Sequence, residues 1–250
     1  MSIVWQHCEG ESCYQVRRAG GSLRLYTNGV LHSQYNAQRP LTGSVWDLLL
    51  LPAFFYAPGA IRRVLVLGVG GGAVIRQLRH FVQPRQIIGV DLSGIHLTIA
   101  ERFFGVTGPD VQLVRADAAR WLRDYAGEPF DMIIDDLFAD TDGEPVRAVA
   151  AHRQWASLLL DHLAADGVVV SNFPGRADLR YSAWLQDRRV RAVLRAAFEL
   201  GNARNHNAVG VFLRRPATTR QLRRRLVAHP ELDPRRKRSP LQYRIRTLLR

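Results

Sequence analysis

Four groups of residues in this sequence have the types and spacing that chemistry requires. In the run Leu67-Gly68-Val69-Gly70-Gly71-Gly72-Ala73, glycines let the backbone turn tightly and approach a ligand without Cβ interference. Asp91, with Leu92 beside it, stands 19 residues after Gly72, where a carboxylate can accept from two ribose hydroxyls. Asp117-Ala118 follows, with carboxylate and backbone groups that could meet the edge of an adenine ring. The paired acids Asp135-Asp136 form the fourth group, suited to orienting a polar substrate or taking its proton.

Each group sits at the carboxyl end of a short β-rich run: 64–67, 87–90, 111–114 and 132–134, with a fifth run at 168–170. Helix-length segments at 73–81, 94–104, 118–125 and 146–163 lie between them. Continuous apolar strands alternating with helices predict a parallel sheet covered on both faces, and the carboxyl edge of such a sheet is where ligands bind. Taken singly, Asp91 and Asp117 also suit helix N-caps, and Asp135-Asp136 a solvated strand end. In register along one edge, the four groups predict a site. Asn172-Phe173-Pro174, after the fifth run, could line its acceptor side.

Upstream, alternating runs at 14–17, 23–26 and 30–33, with Asn28-Gly29 between the last two, predict a small antiparallel sheet with a tight hairpin. Residues 44–56 read as an apolar helix capped by Ser44 and ended by Pro58-Gly59. Downstream, 179–200 reads as a further helix and 209–213 as a last strand.

The composition limits the alternatives. The chain has 250 residues, 47% of them hydrophobic, and a net charge of +13, a globular composition with ample apolar content for a core. From Arg214 to Arg250 there are 13 Lys and Arg against two acids, Glu231 and Asp233, a net of +11 that leaves +2 for the rest. Lys237 is the only lysine, which excludes Schiff-base catalysis and a Walker phosphate loop in the body. Cys8 and Cys13 are too few for a zinc set or a disulfide framework and read as ordinary strand residues. No basic-then-apolar leader or membrane-length apolar stretch is evident, so no membrane partner and a cytoplasmic location are the expectation.

These residues resemble the spermidine synthase-like branch of the class I S-adenosylmethionine-dependent methyltransferase superfamily, over roughly four fifths of the chain. The resemblance implies an α/β fold: a Rossmann-like sheet with a small N-terminal antiparallel β piece and a basic C-terminal extension. The corresponding segments are 1–40, a cofactor-binding catalytic domain at 41–213, and an Arg-rich extension at 214–250. It further implies that Gly68, Gly70 and Gly72 hold the methionine part of the cofactor. Asp91 with Leu92 would bind ribose, and Asp117 with Ala118 would bind adenine. Asp135 would support the loop, and Gln34 or His32 lies near the family's cofactor-contacting glutamine.

Two departures bear on the group transferred. Aminopropyltransferases carry an aspartate inside the glycine loop, where this sequence has Gly71; a carboxylate there suits decarboxylated S-adenosylmethionine and repels the carboxylate of the ordinary cofactor. They also carry Asp-Ser-Ser-Asp after the fourth strand, where only Asp136 aligns here and Ala139 replaces the second acid, with Asp140 and Asp142 nearby. The sequence-based expectation is therefore a methyltransferase using S-adenosylmethionine, with Asp136 as the catalytic residue that orients or deprotonates a small-molecule or protein acceptor. The alternative is a polyamine aminopropyltransferase using decarboxylated S-adenosylmethionine. A nicotinamide oxidoreductase fits Gly68, Gly70 and Ala73 less well in this context, and a non-catalytic nucleotide- or nucleic-acid-binding protein is a further reading. No metal is expected. The Arg-rich tail could reach nucleic acid or remain a solvated extension, and Leu241, Ile245, Leu248 and Leu249 have helix-compatible spacing that could dock on the body or form a homodimer.

Overall fold

The computed structural model describes residues 1–141, 144–237 and 239–249, with the backbone only at 140–141 and 144–145. The N-terminal sheet is a meander of β1 (Ser2–Glu9), β2 (Ser12–Ala19), β3 (Ser22–Thr27) and β4 (Val30–Asn36). Asn28 and Gly29 take φ of 49° and 84° in the tight β3–β4 turn that their types predict. Cys8 and Cys13 face each other across β1–β2 and form a disulfide, correcting their reading as ordinary strand residues. Direct cross-strand register, rather than their number, decides the pairing.

The apolar segment at 44–56 is α1 (Val45–Leu50) running into a 3-10 turn (Leu51–Phe55), with Pro52 at its start. Ser44 precedes α1 without a side-chain capping bond. Then come β5 (Arg63–Leu67), α2 (Ala73–Phe81), β6 (Gln86–Asp91), α3 (Gly94–Arg102), β7 (Val111–Arg115), α4 (Ala118–Asp124) and β8 (Phe130–Asp135). A hairpin of β9 (Phe138–Thr141) and β10 (Glu144–Arg147) precedes α5 (Arg153–Asp161) and β11 (Leu163–Phe173). The short helices α6 (Arg176–Tyr181), α7 (Ala183–Gln186) and α8 (Arg188–Ala192) lead to β12 (Ala196–Gly201), β13 (Ala208–Leu213), α9 (Thr219–Val227) and β14 (Arg244–Leu249).

The main sheet has eight strands in the order β14-β12-β13-β11-β8-β5-β6-β7, parallel from β11 to β7 and antiparallel beyond. Successive strand residues feed opposite cores, as a pleated sheet requires. Val64, Val66, Met132 and Ile134 pack with α1, α2, α3, α9 and Val16 and Leu25 of the N-terminal sheet. Leu65, Leu67, Ile133 and Val169 pack on the other face with α4 to α8.

Three expectations need correction. Residues 146–163 are not one helix: Val146 and Arg147 belong to β10, and α5 begins after His152, whose Nδ1 accepts from the Trp155 amide. Residues 179–200 are not one helix either, because Asp187 caps a new helix through the Arg189 and Val190 amides, and Ala196–Gly201 pairs with β13. Pairing between strands overrides the weak strand preference of alanine and glutamate there. Finally, the C-terminal end docks on the body, one of the two placements expected for it, but Ile245, Leu248 and Leu249 do so in β14, a strand rather than a helix, paired with β12.

Candidate functional site

The glycine loop joins β5 to α2 and forms one wall of an open cavity of about 1410 Å³. Gly68 has φ of 86°, and a Cβ there would lie 2.2 Å from the Asp136 carbonyl oxygen. Gly70 has φ of 53°, and its Cβ would meet the His32 carbonyl oxygen at 2.8 Å. Both require glycine, and both line the cavity. Gly72 does not line it; a Cβ there would lie 2.6 Å from Val106 Cγ2, so this glycine serves close packing at the start of α2.

Asp91 ends β6 and fixes the loop. Its Oδ2 accepts from the Val69 and Gly70 amides, each at 2.9 Å, and its Oδ1 from the Ser93 amide at 2.8 Å. Burial pushes the Asp91 carboxyl up, but His96 and the Gly70 and Ser93 amides outweigh it and hold it below the ordinary aspartate range. His96 Nδ1 lies 3.7 Å from Asp91 Oδ1, while its Nε2 lies 2.9 Å from Thr27 Oγ1 of the N-terminal sheet. Leu92 lines the cavity and is 71% exposed, a large apolar side chain presented to whatever enters. Asp117 caps α4, with Oδ1 accepting from the Arg120 amide at 2.8 Å, and lines the cavity with Ala118. Capping and cavity lining thus coexist in this residue.

The paired acids face different ways because successive residues of a strand end alternate. Asp135 is fully buried and does not line the cavity; its Oδ2 accepts from Arg147 Nη2 at 2.8 Å and from Trp155 Nε1 at 3.2 Å. Arg147 also donates to the Asn172 and Val149 carbonyl oxygens and lies over the Phe173 ring, which ties β10 to the sheet. Asp136 lines the cavity, and its Oδ1 accepts from Asn172 Nδ2 at 2.7 Å. Asn207 Nδ2 in turn donates to Asn172 Oδ1 at 3.0 Å, which fixes the amide's orientation. Desolvation raises the Asp136 carboxyl to about 7, with the Asn172 bond opposing the rise and Asp135 adding to it.

The N-terminal sheet closes the opposite wall through Tyr14, Thr27 and His32, with Glu9 and Glu11 at the tip of β1–β2. Gln34 does not reach the cavity: its Oε1 accepts from Arg24 Nε at 2.9 Å across β3–β4, and His32 is the β4 residue that lines the site. A Cβ at Gly71 would lie 2.8 Å from Ser33 Cβ and 3.1 Å from Phe104 Cε1, so Ser33 and Phe104 occupy the space of a loop side chain. Ala139 lines the cavity after Asp136, and Asp142 lies outside the described residues.

The structure therefore brings Gly68, Gly70, Asp91, Leu92, Asp117, Ala118 and Asp136 to one cavity, and leaves Gly72, Asp135 and Gln34 outside its lining. Sequence reasoning missed His96, Arg147 and Asn207. The pairing of Arg147 with Asp135 depends on the β9–β10 hairpin, for which Asp142-Gly143 between the two runs was an available sequence signal, and Asn207 on the turn before β13. His96 had one available signal, its place one helical turn after Ser93, the cap of α3.

Comparison with known proteins agrees with this architecture. The family model described as "Methyltransferase domain" matches residues 64–159. A polyamine aminopropyltransferase of Caldanaerobacter subterraneus is 37% identical over 106 residues, covering 41% of this chain and 35% of that protein. One from Mycobacterium tuberculosis is 34% identical over 179 residues, covering 67% of this chain and 32% of that protein. The chain thus spans about a third of the length of these curated relatives. Among solved structures, a probable spermidine synthase from Corynebacterium glutamicum superposes with a TM-score of 0.71 at 18% identity, covering 98% of this chain and 91% of that one. Human methyltransferase-like protein 13 in complex with SAH superposes with a TM-score of 0.56 at 18% identity, covering 77% and 91%. With the loop, acids and strand order described above, the chain has the fold of the spermidine synthase-like class I S-adenosylmethionine-dependent methyltransferases.

Proposed function

We propose that this chain is a transferase that uses an S-adenosyl sulfonium donor to alkylate an amine, and that it works as an aminopropyltransferase on the decarboxylated donor. The observation that carries the amine acceptor is Asp136, a cavity-lining carboxylate raised to about 7 and oriented by Asn172. The names of the curated relatives support the aminopropyl arm.

The residues fit such a donor: Gly68 and Gly70 leave bare backbone against the cavity, and Asp91 and Asp117 offer carboxylates at the two following strand ends. When bound, the donor supplies an electrophilic carbon and a neutral thioether leaving group. The chain's own contribution is position and proton transfer. Asp91 and Asp117 would hold the adenosine end, the glycine loop would face the methionine-derived arm, and Asp136 would draw the acceptor ammonium into line. Asp136 then takes its proton, because an ammonium has no lone pair to attack with. A carboxyl near 7 is partly ionised at neutral pH and is a stronger base than an ordinary aspartate, which lessens the uphill cost of taking a proton from an alkylammonium.

A second reading, methyl transfer from S-adenosylmethionine, is favoured by one specific observation: Ser33 and Phe104 fill the space that a side chain at position 71 would need, so this loop carries no carboxylate to select the decarboxylated donor. Calorimetry with the two donors separates the readings. Tighter binding of decarboxylated S-adenosylmethionine is expected, and preference for S-adenosylmethionine would overturn the aminopropyl assignment while leaving the transferase intact.

A further inference from the structure

The folded C-terminal segment builds a second, cationic cavity of about 440 Å³ between α9 and β14. Arg223, Arg235 and Arg244 line it together with Tyr243 and Ile245. Arg223 lies against the Tyr243 hydroxyl. The carboxylates that could neutralise this face are already engaged. Glu231 pairs with His80 at 3.1 Å, and Asp233 is held by Arg235 at 2.9 Å. Arg223 and Arg244 therefore have no carboxylate partner among the described residues.

Charge continues through the segment beyond the cavity lining: Arg220 and Arg224 of α9, Arg236 and Lys237 after it, and Arg246 of β14 are exposed. On the other flank of α9, Arg225 stands beside Arg215 and Arg224 and keeps a buried Nη1 without an acceptor among the described residues. Like charges gathered this closely repel one another, and a partner carrying several anions relieves the repulsion. The number of cations exceeds what one small anion could neutralise, which points to a polyanion. Among the described residues, none of the large exposed hydrophobic side chains belongs to this segment, so the face has nothing to insert into a lipid surface.

We propose that this face is a binding site for the phosphate backbone of single-stranded nucleic acid, with Arg223 and Arg244 each holding a phosphate and the Tyr243 ring offering one stacking surface. Arginine suits this role because its planar fork grips phosphate oxygens in pairs. With Tyr243 the only aromatic residue in the segment, binding is insensitive to base sequence. The site lies at the β14 end of the sheet, away from the cavity between β5, β6 and β8, so it is independent of the transferase reading.

The test is fluorescence anisotropy of a labelled single-stranded RNA oligonucleotide titrated with the full chain over a range of salt concentrations. Binding that weakens steeply with salt is expected, and the double variant Arg223→Ala/Arg244→Ala should reduce the magnitude of the log–log salt slope by about 1.4, or about 0.7 per phosphate contact. Arg223→Lys/Arg244→Lys, which keeps the charge, should retain most of the slope and shows that loss in the alanine variant is not misfolding. The proposal is overturned if the wild-type chain fails to bind the RNA, or if the alanine variant, with an unchanged melting temperature, binds it with an unchanged slope. Binding of adenosine monophosphate or of phosphatidylserine vesicles in place of the RNA would overturn it too, in favour of a mononucleotide site or a membrane surface.

Discussion

At the scale of single residues, the proposed chemistry rests on two aspartates whose carboxyls are shifted in opposite directions. Asp136 is raised to about 7 by desolvation, so it is protonated below that value and becomes a base above it. Transfer rate should therefore rise with pH through about 7, and Asp136→Asn should lose roughly 10²- to 10⁴-fold of it together with that limb of the pH–rate profile. The same shift works against stability. A carboxyl raised on folding favours the folded state at acid pH, and that contribution is lost as pH rises through about 7. Asp136→Asn should accordingly raise the melting temperature at about pH 8 and leave it nearly unchanged at about pH 4, which parallel thermal melts would read. Asp91 shows the opposite behaviour. Replacing it with Ala strips the acceptor from the Val69, Gly70 and Ser93 amides, which should cost about 1–3 kcal/mol of stability and weaken adenosyl ligand binding, measured by denaturation and calorimetry. Unchanged affinity would make Asp91 a structural residue only. Gly71→Asp should not convert the loop to the aminopropyltransferase pattern, because its Cβ would be driven against Ser33 and Phe104 at a cost of about 1–3 kcal/mol.

At the scale of elements, the N-terminal sheet is a wall of the site as well as an attachment to the main sheet. Its outer strand, β1, is almost wholly exposed and is tied to β2 by Cys8–Cys13 next to Glu9 and Glu11 at the cavity mouth. Reduction should free this hairpin locally, so amide exchange in β1 and β2 should accelerate while β5, β6 and β8 stay protected; equal acceleration throughout would mean the hairpin supports the whole fold. The contrast between the parallel strands and their surroundings also shows what is legible in the sequence. The strands at 64–67, 87–90 and 132–134 are continuous apolar runs buried on both faces, and that pattern is local, as are the glycine loop and the acids in register with it. The Asn28-Gly29 turn is legible for the same reason. By contrast, β12 contains Ala196, Ala197 and Glu199, and forms a strand only because β13 and β14 flank it. Leu241, Ile245, Leu248 and Leu249 have helix-compatible spacing, but the last three lie in β14, which pairs through its backbone, and Asp135, which its sequence position places with the site, is drawn into the core by Arg147 and Trp155. In each case the deciding partner belongs to another element, outside the local pattern.

At the scale of the whole molecule, charge and chemistry occupy opposite ends of one sheet. The cavity opens over β5, β6 and β8 within a nearly neutral body, whereas the arginines of the last segment gather around α9 and β14. Because β14 completes the sheet by pairing with β12, the basic segment is part of the fold, and removing residues 241–250 should bare the β12 edge and lower both melting temperature and solubility, as light scattering during a thermal melt would record. No helix among the described residues is long and apolar enough to cross a membrane. The proposed reaction moves an alkyl arm from a sulfonium donor in this cavity to an amine deprotonated by Asp136. Its most direct test is mass spectrometry of the amine product after incubating the chain with a diamine and either donor. The expected product is an aminopropyl adduct from decarboxylated S-adenosylmethionine that disappears with Asp136→Asn. No adduct from either donor, or an adduct formed equally well by the Asn variant, would contradict it.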